Sequence, residues 1–310
     1  MSENLVIIPT YNEKENIEKI IRYVFQMPMS FDILIVEDNS PDGTADIVKR
    51  LMNEFPERLF IEERKGKLGL GTAYIHGFKW ALARHYKYVF EMDADFSHNP
   101  DDLIKLHDAC ANGADVSVGS RYITGVNVVN WPMGRVLMSY YASAYVRFIT
   151  RMKTRDTTAG FVCYTRKVLE TIDLDKVKFI GYAFQIEMKY TAWKLGFNIK
   201  EVPIIFTDRA EGTSKMSKGI FKEAIFGVIN LRWRATQAIL QLLQRFLVRC
   251  DQALLCLVGL MEIFQLAQIV SGILDQNKVL LVPLAQRRER VTLLCAAIPI
   301  TLAKLTLYLF

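Results

Sequence analysis

The chain has 310 residues, of which 51% are hydrophobic and 23% are charged, and its net charge is +6. This composition supports a sizeable buried core and argues against a disordered chain. The positive charge predicts attraction to anions, but the basic residues are dispersed without interleaved aromatic residues, so we expect no nucleic-acid binding. Five cysteines without a CxxC pair indicate reduced thiols, and no signal-peptide pattern opens the chain. We therefore expect the catalytic part on the cytoplasmic side.

Up to about residue 236, strand-like and helix-like segments alternate. NLVIIPT and FDILIVEDNS are apolar runs of strand length that end in turn-forming residues. A segment with helical spacing lies between them, with Asn12 as its expected N-cap. RLFIEER, YKYVFEMD and ADVSVGSRY are predicted as further strands. This alternation predicts an α/β fold with a mostly parallel sheet, whose ligands bind beyond the carboxyl ends of the strands.

Residues 237–310 differ in character and are predicted to form a hydrophobic helical tail. QAILQLLQRFLVR is an amphipathic basic segment that suits a membrane interface. Residues 254–274 and 291–310 are long enough to span a bilayer, although Glu262 and nearby glutamines make the first only marginally apolar. A soluble helical appendage stays open as the alternative. The predicted domains are residues 1–236 and 237–310.

The segment MDADFSHNP ends a predicted strand on two carboxylates, Asp93 and Asp95. Two anions this close repel each other unless a cation lies between or in front of them. An Asp-x-Asp pair suits Mg²⁺ or Mn²⁺, which keeps some of its water and can bind a diphosphate. Solvated loop charges are the alternative, but the other polar strand ends favour the metal site.

Polar residues also follow the other predicted strands. Tyr11 follows the first strand, Asp38 the second, and Arg121 the strand in ADVSVGSRY. Because such strand ends converge on one crevice in an open α/β sheet, these side chains are expected to share a site. Tyr11 offers a stacking face, and Asp38 could accept a hydrogen bond from a base N–H or a ribose hydroxyl. An Asx-turn is the alternative role of Asp38, and the two roles can coexist.

Several later segments carry candidate polar groups. Arg135 and Ser139 lie one turn apart on a predicted helix that is otherwise apolar and aromatic. Further candidates are Gln185, Glu187 and Lys189 on another predicted helix, and Arg209, Lys215 and Lys218 in a Gly/Ser-containing loop. RKGKLGLGTAYIHGF is predicted to be a glycine-rich turn that leads into a helix, since it fits neither phosphate-loop pattern. Its Lys65 and Lys67 could still line the crevice.

Eight separated segments together resemble one family. IIPTYNEKENI, VEDNSPDGT, KLGLGTAYIHG, MDADFSHNP, VGSRY, DTTAGFVCYTR, GYAFQIEM and DRAEGTSKMSKG occur in the order found in glycosyltransferase family 2, and are most similar to its polyprenol (dolichol) phosphate mannosyltransferases. The resemblance covers residues 5 to about 235. It implies a GT-A type fold and transfer of mannose from GDP-mannose to a polyprenyl or dolichyl phosphate, with inversion.

The resemblance also implies roles for individual residues. The nucleoside would be held by Pro9, Tyr11, Glu13, Val36 and Asp38. Asp93 and Ala94 would complete the donor site, and the Mg²⁺ or Mn²⁺ ligands would be Asp95, Ser97 and Asp93. Arg121 would meet the acceptor phosphate with Arg135 and Ser139, whereas Arg209 and Lys215 would come from a loop that closes over the diphosphate.

The implied enzyme is membrane-associated, with its catalytic domain on the cytoplasmic face, and would need a membrane-anchor subunit if the tail does not span. Two alternatives stay open: a glucosyltransferase that uses UDP-glucose with the same acceptor, and an inactive membrane-associated protein that binds nucleotide. The intact charged residues Asp93, Asp95, Arg121 and Arg209 argue against the inactive protein.

Overall fold

The computed structural model describes residues 2–181, 183–208 and 227–233. All of them lie in the first of two compact units, Met1–Ala238. The predicted domain boundary, the tail segments and the residues Arg209, Lys215 and Lys218 lie outside the described residues. Among the described helices, none combines the length and apolar character needed to cross a membrane.

The central sheet has seven strands in the order β3-β2-β1-β4-β7-β5-β8. All its neighbouring pairs are parallel except those that involve β7, which is antiparallel to β4 and β5. A separate parallel pair joins β6 and β9. The strands are β1 (Asn4–Thr10), β2 (Asp32–Glu37), β3 (Leu59–Glu63), β4 (Tyr88–Glu91), β5 (Val116–Ser120), β6 (Val128–Val129), β7 (Val162–Thr165), β8 (Ile199–Pro203) and β9 (Phe206–Thr207).

Helices cover both faces of the sheet. They are α1 (Ile17–Gln26), α2 (Thr44–Glu54), α3 (Leu70–Leu82), α4 (Asp102–Ala111), α5 (Met133–Thr150), α6 (Arg166–Thr171) and α7 (Ala183–Lys194). Successive β1 side chains enter opposite clusters: Val6 and Ile8 pack with α1, α2 and α4, whereas Leu5 and Ile7 pack with α3, α6 and α7. This period of two, with both faces covered, is why the strand reads as one continuous apolar run.

The start of α1 differs from the prediction. Asn12 is not the N-cap, because α1 begins at Ile17 and Asn16 occupies the N-cap position. Asn12 has a φ of 56°, in the left-handed region, and its backbone N–H donates to the Ser40 Oγ at 3.0 Å. The left-handed backbone at Asn12 therefore lies outside the helix, in a loop that is joined to the loop after β2.

The glycine-rich segment is a turn into α3, as predicted. Gly69 has a φ of 103°, which an L side chain rarely adopts. The Gly71 N–H donates to the Ile180 carbonyl at 2.7 Å, and a Cβ at Gly71 would lie 2.5 Å from the Phe179 carbonyl oxygen. These glycines thus allow α3 to pack closely against residues 179–180.

Candidate active site

Four strands of the sheet end at one edge, and a predicted site residue follows each of them. Tyr11 follows β1, Asp38 follows β2, Asp93 lies two residues after β4, and Arg121 follows β5. The reversed strand β7 begins at this same edge, so the segment just before it, residues 156–160, also lies here. The sequence analysis noted this segment as part of DTTAGFVCYTR, but it did not predict β7 as a strand and assigned no site residue here.

The side of the edge that is predicted to bind the nucleoside is formed by the loops after β1 and β2. Pro9 and Val36 are partners in the β1–β2 register. The Asp38 N–H donates to the Thr10 carbonyl at 3.1 Å, and the Glu13 N–H donates to the Thr44 Oγ1 at 3.1 Å. These bonds bring together the five residues predicted for the nucleoside, which are Pro9, Tyr11, Glu13, Val36 and Asp38.

Two basic residues from the segment after β3 complete this side. The Arg64 guanidinium binds Asp38 through two hydrogen bonds, Nε to Oδ1 at 2.6 Å and Nη2 to Oδ2 at 2.7 Å. Burial raises the pKa of Asp38, and Arg64 opposes that shift. Lys67 lies over the Tyr11 ring, with 4.9 Å between Nζ and the ring centroid. Lys67 was predicted to line the crevice, but Arg64 was not, although its position directly after a strand was a usable signal.

The carboxylates after β4 differ in exposure. Asp95 is buried and accepts a hydrogen bond from the Ser97 N–H at 3.1 Å. The Asp93 side chain is 40% exposed. Asp93 and Ser97 both line a pocket at the part of the edge that is predicted to bind the acceptor. Ala94, between the two carboxylates, is buried and contributes its backbone to this turn.

These residues fit a divalent metal ion. Within the described residues, no group of three His, Cys, Asp or Glu side chains is arranged to hold a metal. Asp93, Asp95 and Ser97 instead offer two carboxylates and a hydroxyl, all hard oxygen ligands. Magnesium is typically bound by one or two carboxylates and completes its shell with water and substrate phosphates. The donor set therefore suits an ion that binds together with a diphosphate.

His98 is a further site residue that sequence reasoning missed. Its ring stacks on Phe161 at 4.8 Å and meets Phe206 edge-on at 5.3 Å. Its Nδ1 lies 3.9 Å from the Asp93 Oδ2. Burial lowers the pKa of His98 to about 4. His98 is therefore neutral near pH 7. Its ring forms part of the pocket wall and offers a polar nitrogen without positive charge.

A pocket of about 480 Å³ lies beside Asp93 and Ser97. The structure brings three more predicted residues into its lining, namely Arg121, Arg135 and Ser139. Most other lining side chains are apolar or aromatic, including Tyr74, Trp131, Met138, Tyr141, Val146 and Phe206. Among the described residues, the five predicted for the nucleoside do not line this pocket. The predicted residues thus form two adjoining halves that meet at the carboxylates.

Both arginines of the pocket are held by carboxylates. The Arg121 guanidinium binds Asp156 through Nε and Nη2, each at 2.7 Å, and its Nη2 also donates to the Thr158 Oγ1. Burial alone would raise the pKa of Asp156, but Arg121 brings it below the usual range. Arg135 donates to the Asp208 Oδ1 at 2.9 Å and lies 4.1 Å from the Trp131 ring centroid. An anion in the pocket would therefore meet pre-oriented guanidinium groups.

The polar residues predicted on α7 are buried. The Lys189 Nζ donates to the Ala159 carbonyl at 2.6 Å and to the Gln185 carbonyl at 3.1 Å. Burial lowers the pKa of Lys189 and raises that of Glu91, and the attraction between the two charges opposes both shifts. The Glu187 carboxylate accepts two backbone N–H groups at 2.9 Å. These residues hold the pocket wall in place, and of the three predicted on α7, Gln185 lines it.

Comparison with known proteins identifies the family. The model of glycosyl transferase family 2 matches residues 5–173. The chain belongs to glycosyl transferase family 2. This family 2 chain is 47% identical over 224 residues to the polyprenol monophosphomannose synthase of Mycolicibacterium smegmatis; the alignment covers 72% of this chain and 84% of that protein. It is 41% identical over 242 residues to the undecaprenyl-phosphate mannosyltransferase of Micrococcus luteus, and that alignment covers 77% of this chain and 99% of that protein.

Solved structures share the fold of this family 2 chain. Glucosyl-3-phosphoglycerate synthase from Mycobacterium tuberculosis, solved with Mn²⁺, UDP-glucose and glycerol 3-phosphate, has a TM-score of 0.53 at 16% identity, covering 74% of this chain and 79% of that chain. A mannosyltransferase from Pyrobaculum calidifontis, solved with GDP-mannose and Mn²⁺, has a TM-score of 0.50 at 15% identity, covering 76% and 64%. At these identities the likeness concerns the fold, and the predicted GT-A type architecture is confirmed.

Proposed function

We propose that this family 2 enzyme transfers mannose from GDP-mannose to a polyprenyl phosphate, with inversion at the sugar. The observation that carries the proposal is the mainly apolar pocket that presents Arg121, Arg135 and Ser139 next to Asp93. A polyprenyl phosphate has the same character, with an anionic head and an apolar chain. The two relatives at 47% and 41% identity, named for mannose transfer to such lipids, support this choice of acceptor and sugar.

GDP-mannose would bind on the nucleoside side of the edge. Tyr11 and Glu13 after β1, and Val36 and Asp38 at the end of β2, would hold the nucleoside. The diphosphate would then extend towards Asp93 and Asp95, so that the mannose faces the pocket. Asp93 and Ala94 would complete the donor site.

Mg²⁺ or Mn²⁺, held by Asp93, Asp95 and Ser97, would neutralise charge that develops on the leaving GDP. We assign Arg209 and Lys215, which lie outside the described residues, to the same diphosphate because their segment, DRAEGTSKMSKG, resembles the corresponding family motif. Polar and charged groups that are fixed before reaction stabilise developing charge more effectively than water does. The buried Asp95 would contribute through the metal ion that it holds, because a carboxylate alone repels the negative charge developing on GDP.

The acceptor phosphate needs little activation. A phosphate monoester has a second pKa of about 6, so at pH 7 it is already an anionic nucleophile. Arg121 and Arg135 would orient it for attack on the face of the sugar opposite GDP, which inverts the anomeric centre. No side chain is therefore assigned as general base, and Asp93 serves the donor.

The exposed face of α5 supports membrane association. Its apolar residues in solvent are Met133, Leu137, Met138, Tyr140, Tyr141 and Phe148. Three exposed basic residues follow the helix, namely Arg151, Lys153 and Arg155. Apolar residues followed by basic residues suit an anionic membrane surface. Because Tyr141 also lines the pocket, the acceptor's chain would enter from the bilayer along α5.

The double substitution Tyr141→Ser/Phe148→Ser tests this arrangement. We expect the KM for a long-chain polyprenyl phosphate in anionic vesicles to rise about tenfold, because two aromatic contacts with lipid are lost. The KM for GDP-mannose should stay unchanged. Leu195→Ser is the control, since Leu195 is an exposed apolar residue that lies before β8, at the opposite edge of the sheet. Equal effects of the two variants would contradict a specific role for α5.

The proposed donor is tested by initial rates with GDP-mannose, GDP-glucose, UDP-glucose and UDP-mannose at one polyprenyl phosphate concentration. We expect GDP-mannose to give the highest kcat/KM. Omission of the polyprenyl phosphate should abolish sugar transfer. A higher kcat/KM for UDP-glucose would overturn the assignment of donor, and equal transfer to a water-soluble phosphate such as glycerol 3-phosphate would overturn that of acceptor.

A further inference from the structure

Arg64 has no part in the chemistry above, yet it contacts a residue assigned to the nucleoside. Its guanidinium donates to both carboxylate oxygens of Asp38, at 2.6 and 2.7 Å. The Arg64 and Asp38 side chains are only 8% and 9% exposed. This is therefore not one of the exposed ion pairs that contribute little to stability or geometry.

Arg64 also connects three segments of the site. Its backbone N–H donates to the Glu37 carbonyl at the end of β2 at 2.8 Å. Its Nη1 donates to the Thr72 Oγ1 at 2.8 Å, and the Thr72 hydroxyl donates to the Gly69 carbonyl. The planar guanidinium of Arg64 thus fixes the orientation of the Asp38 carboxylate, and its hydrogen bond to Thr72 holds this guanidinium at the glycine-rich turn.

A carboxylate in this geometry retains acceptor capacity. Its two oxygens together offer about four lone-pair positions, and the fork of Arg64 uses two of them. The Leu68 backbone N–H is a third donor to this carboxylate. One position is left for a ligand, and a nucleobase such as guanine can fill it with a single ring N–H. A fixed, ionised carboxylate with one open acceptor position therefore suits one base N–H.

We propose that Arg64 is the positioning residue of the nucleoside site, which holds Asp38 as an oriented, ionised acceptor for one N–H group of the nucleobase. The inference rests on the proposed function, because it takes the edge beyond β1 and β2 as the nucleoside side. Without Arg64, the carboxylate would rotate, and its burial would favour the protonated form, which is a weaker hydrogen-bond acceptor.

The test is calorimetric titration of the full-length protein and its variants with GDP and UDP, together with steady-state kinetics. Arg64→Met removes the fork and keeps much of the side-chain volume, and Arg64→Lys keeps the charge without the fork. Arg58→Met is the matched control, because Arg58 lies near Asp32 at the opposite end of β2 and donates to the Phe31 carbonyl.

We expect Arg64→Met to raise the Kd for GDP about 10–100-fold and Arg64→Lys to raise it by a smaller factor, since hydrogen bonds to charged groups are worth about 1.5–3 kcal/mol. The KM for GDP-mannose should rise in parallel, with the KM for polyprenyl phosphate unchanged. Arg58→Met should leave both KM values within about twofold of the wild type, a split that general destabilisation would not produce.

A GDP affinity of Arg64→Met within about twofold of the wild type would overturn the inference. If Arg64→Met does not fold, Arg64→Lys decides by the same criterion. A wild-type protein that prefers UDP to GDP would overturn the proposed donor, and the effect of Arg64→Lys on UDP binding would then separately decide the positioning role. A wild-type protein that binds neither nucleotide would overturn both.

Discussion

The Asp95→Asn variant is expected to lose mannosyl transfer by a factor of about 10²–10³. It removes a carboxylate that would hold the metal ion, and loss of one fixed electrostatic contact to a developing charge costs this much. Asparagine keeps an oxygen that can accept from the Ser97 N–H, as Asp95 does at 3.1 Å, so the turn should stay folded. Rates with saturating GDP-mannose and polyprenyl phosphate, measured across Mg²⁺ and Mn²⁺ concentrations, provide the test. The wild-type rate should depend steeply on the metal ion.

Asp101→Asn is the matched control for Asp95→Asn. Asp101 follows the same strand but lies at the start of α4, where it accepts from the Tyr23 hydroxyl at 3.1 Å. This variant should retain wild-type activity. Substantial transfer by Asp95→Asn in the presence of a metal chelator would show that Asp95 does not hold a metal ion.

The second large effect is expected for Arg121→Met. This substitution leaves the Asp156 carboxylate, which is 0% exposed, without its bidentate partner. Breaking a buried ion pair by removal of one partner costs about 3–5 kcal/mol in the free energy of unfolding. Urea denaturation at pH 7 measures it. The double variant Arg121→Met/Asp156→Asn should recover most of the loss, because it removes the unpaired charge as well.

The pH dependence of stability tests independently whether the unpaired charge of Asp156 destabilises Arg121→Met. With Arg121 present, the pKa of Asp156 is lowered, so the pair stabilises the wild type above the unfolded-state pKa of about 3.9 and this stabilisation is lost in acid. In Arg121→Met, burial should dominate and raise the pKa of Asp156, although Lys189 remains a nearby cation. The stability deficit of the variant should therefore shrink as the pH falls from 7 to about 5. A deficit independent of pH would contradict the unpaired-charge explanation.

The kinetics of Arg121→Met test whether Arg121 acts on the acceptor or on the donor. Because Arg121 lines the pocket beside Arg135 and Ser139, we expect the KM for polyprenyl phosphate to rise more than the KM for GDP-mannose. The double variant with Asp156→Asn should show the same split at restored stability. A larger rise in the KM for GDP-mannose would assign Arg121 to the donor.

Much of this fold could be predicted, because its strands and helices are encoded by local patterns. β1 spans the predicted run NLVIIPT, and α5 places Arg135 and Ser139 one turn apart, as their spacing indicates. The common edge follows from a general property of parallel sheets, so the approximate location of the site was also accessible.

The residues that orient the site were less accessible. Asp156 lies 35 positions from Arg121, and Arg64 lies 26 positions from Asp38. No periodic pattern links such residues. The antiparallel insertion of β7 brings Asp156 to the edge, and this insertion depends on the pairing of β7 with β4 and β5. The N-cap of α1 was misassigned for a similar reason, since Asn12 takes its conformation from a contact with the loop that contains Ser40.

Analysis of the lipid product tests the central claim most directly. The full-length protein would be incubated with GDP-mannose, a polyprenyl phosphate and Mg²⁺ or Mn²⁺, and the lipid extract would be examined by mass spectrometry and by NMR of the anomeric centre. We predict a polyprenyl phosphate that carries one mannose in the β configuration, with one GDP released per product. Release of free mannose without a mannolipid would contradict the proposed acceptor, and an α-linked product would contradict inversion.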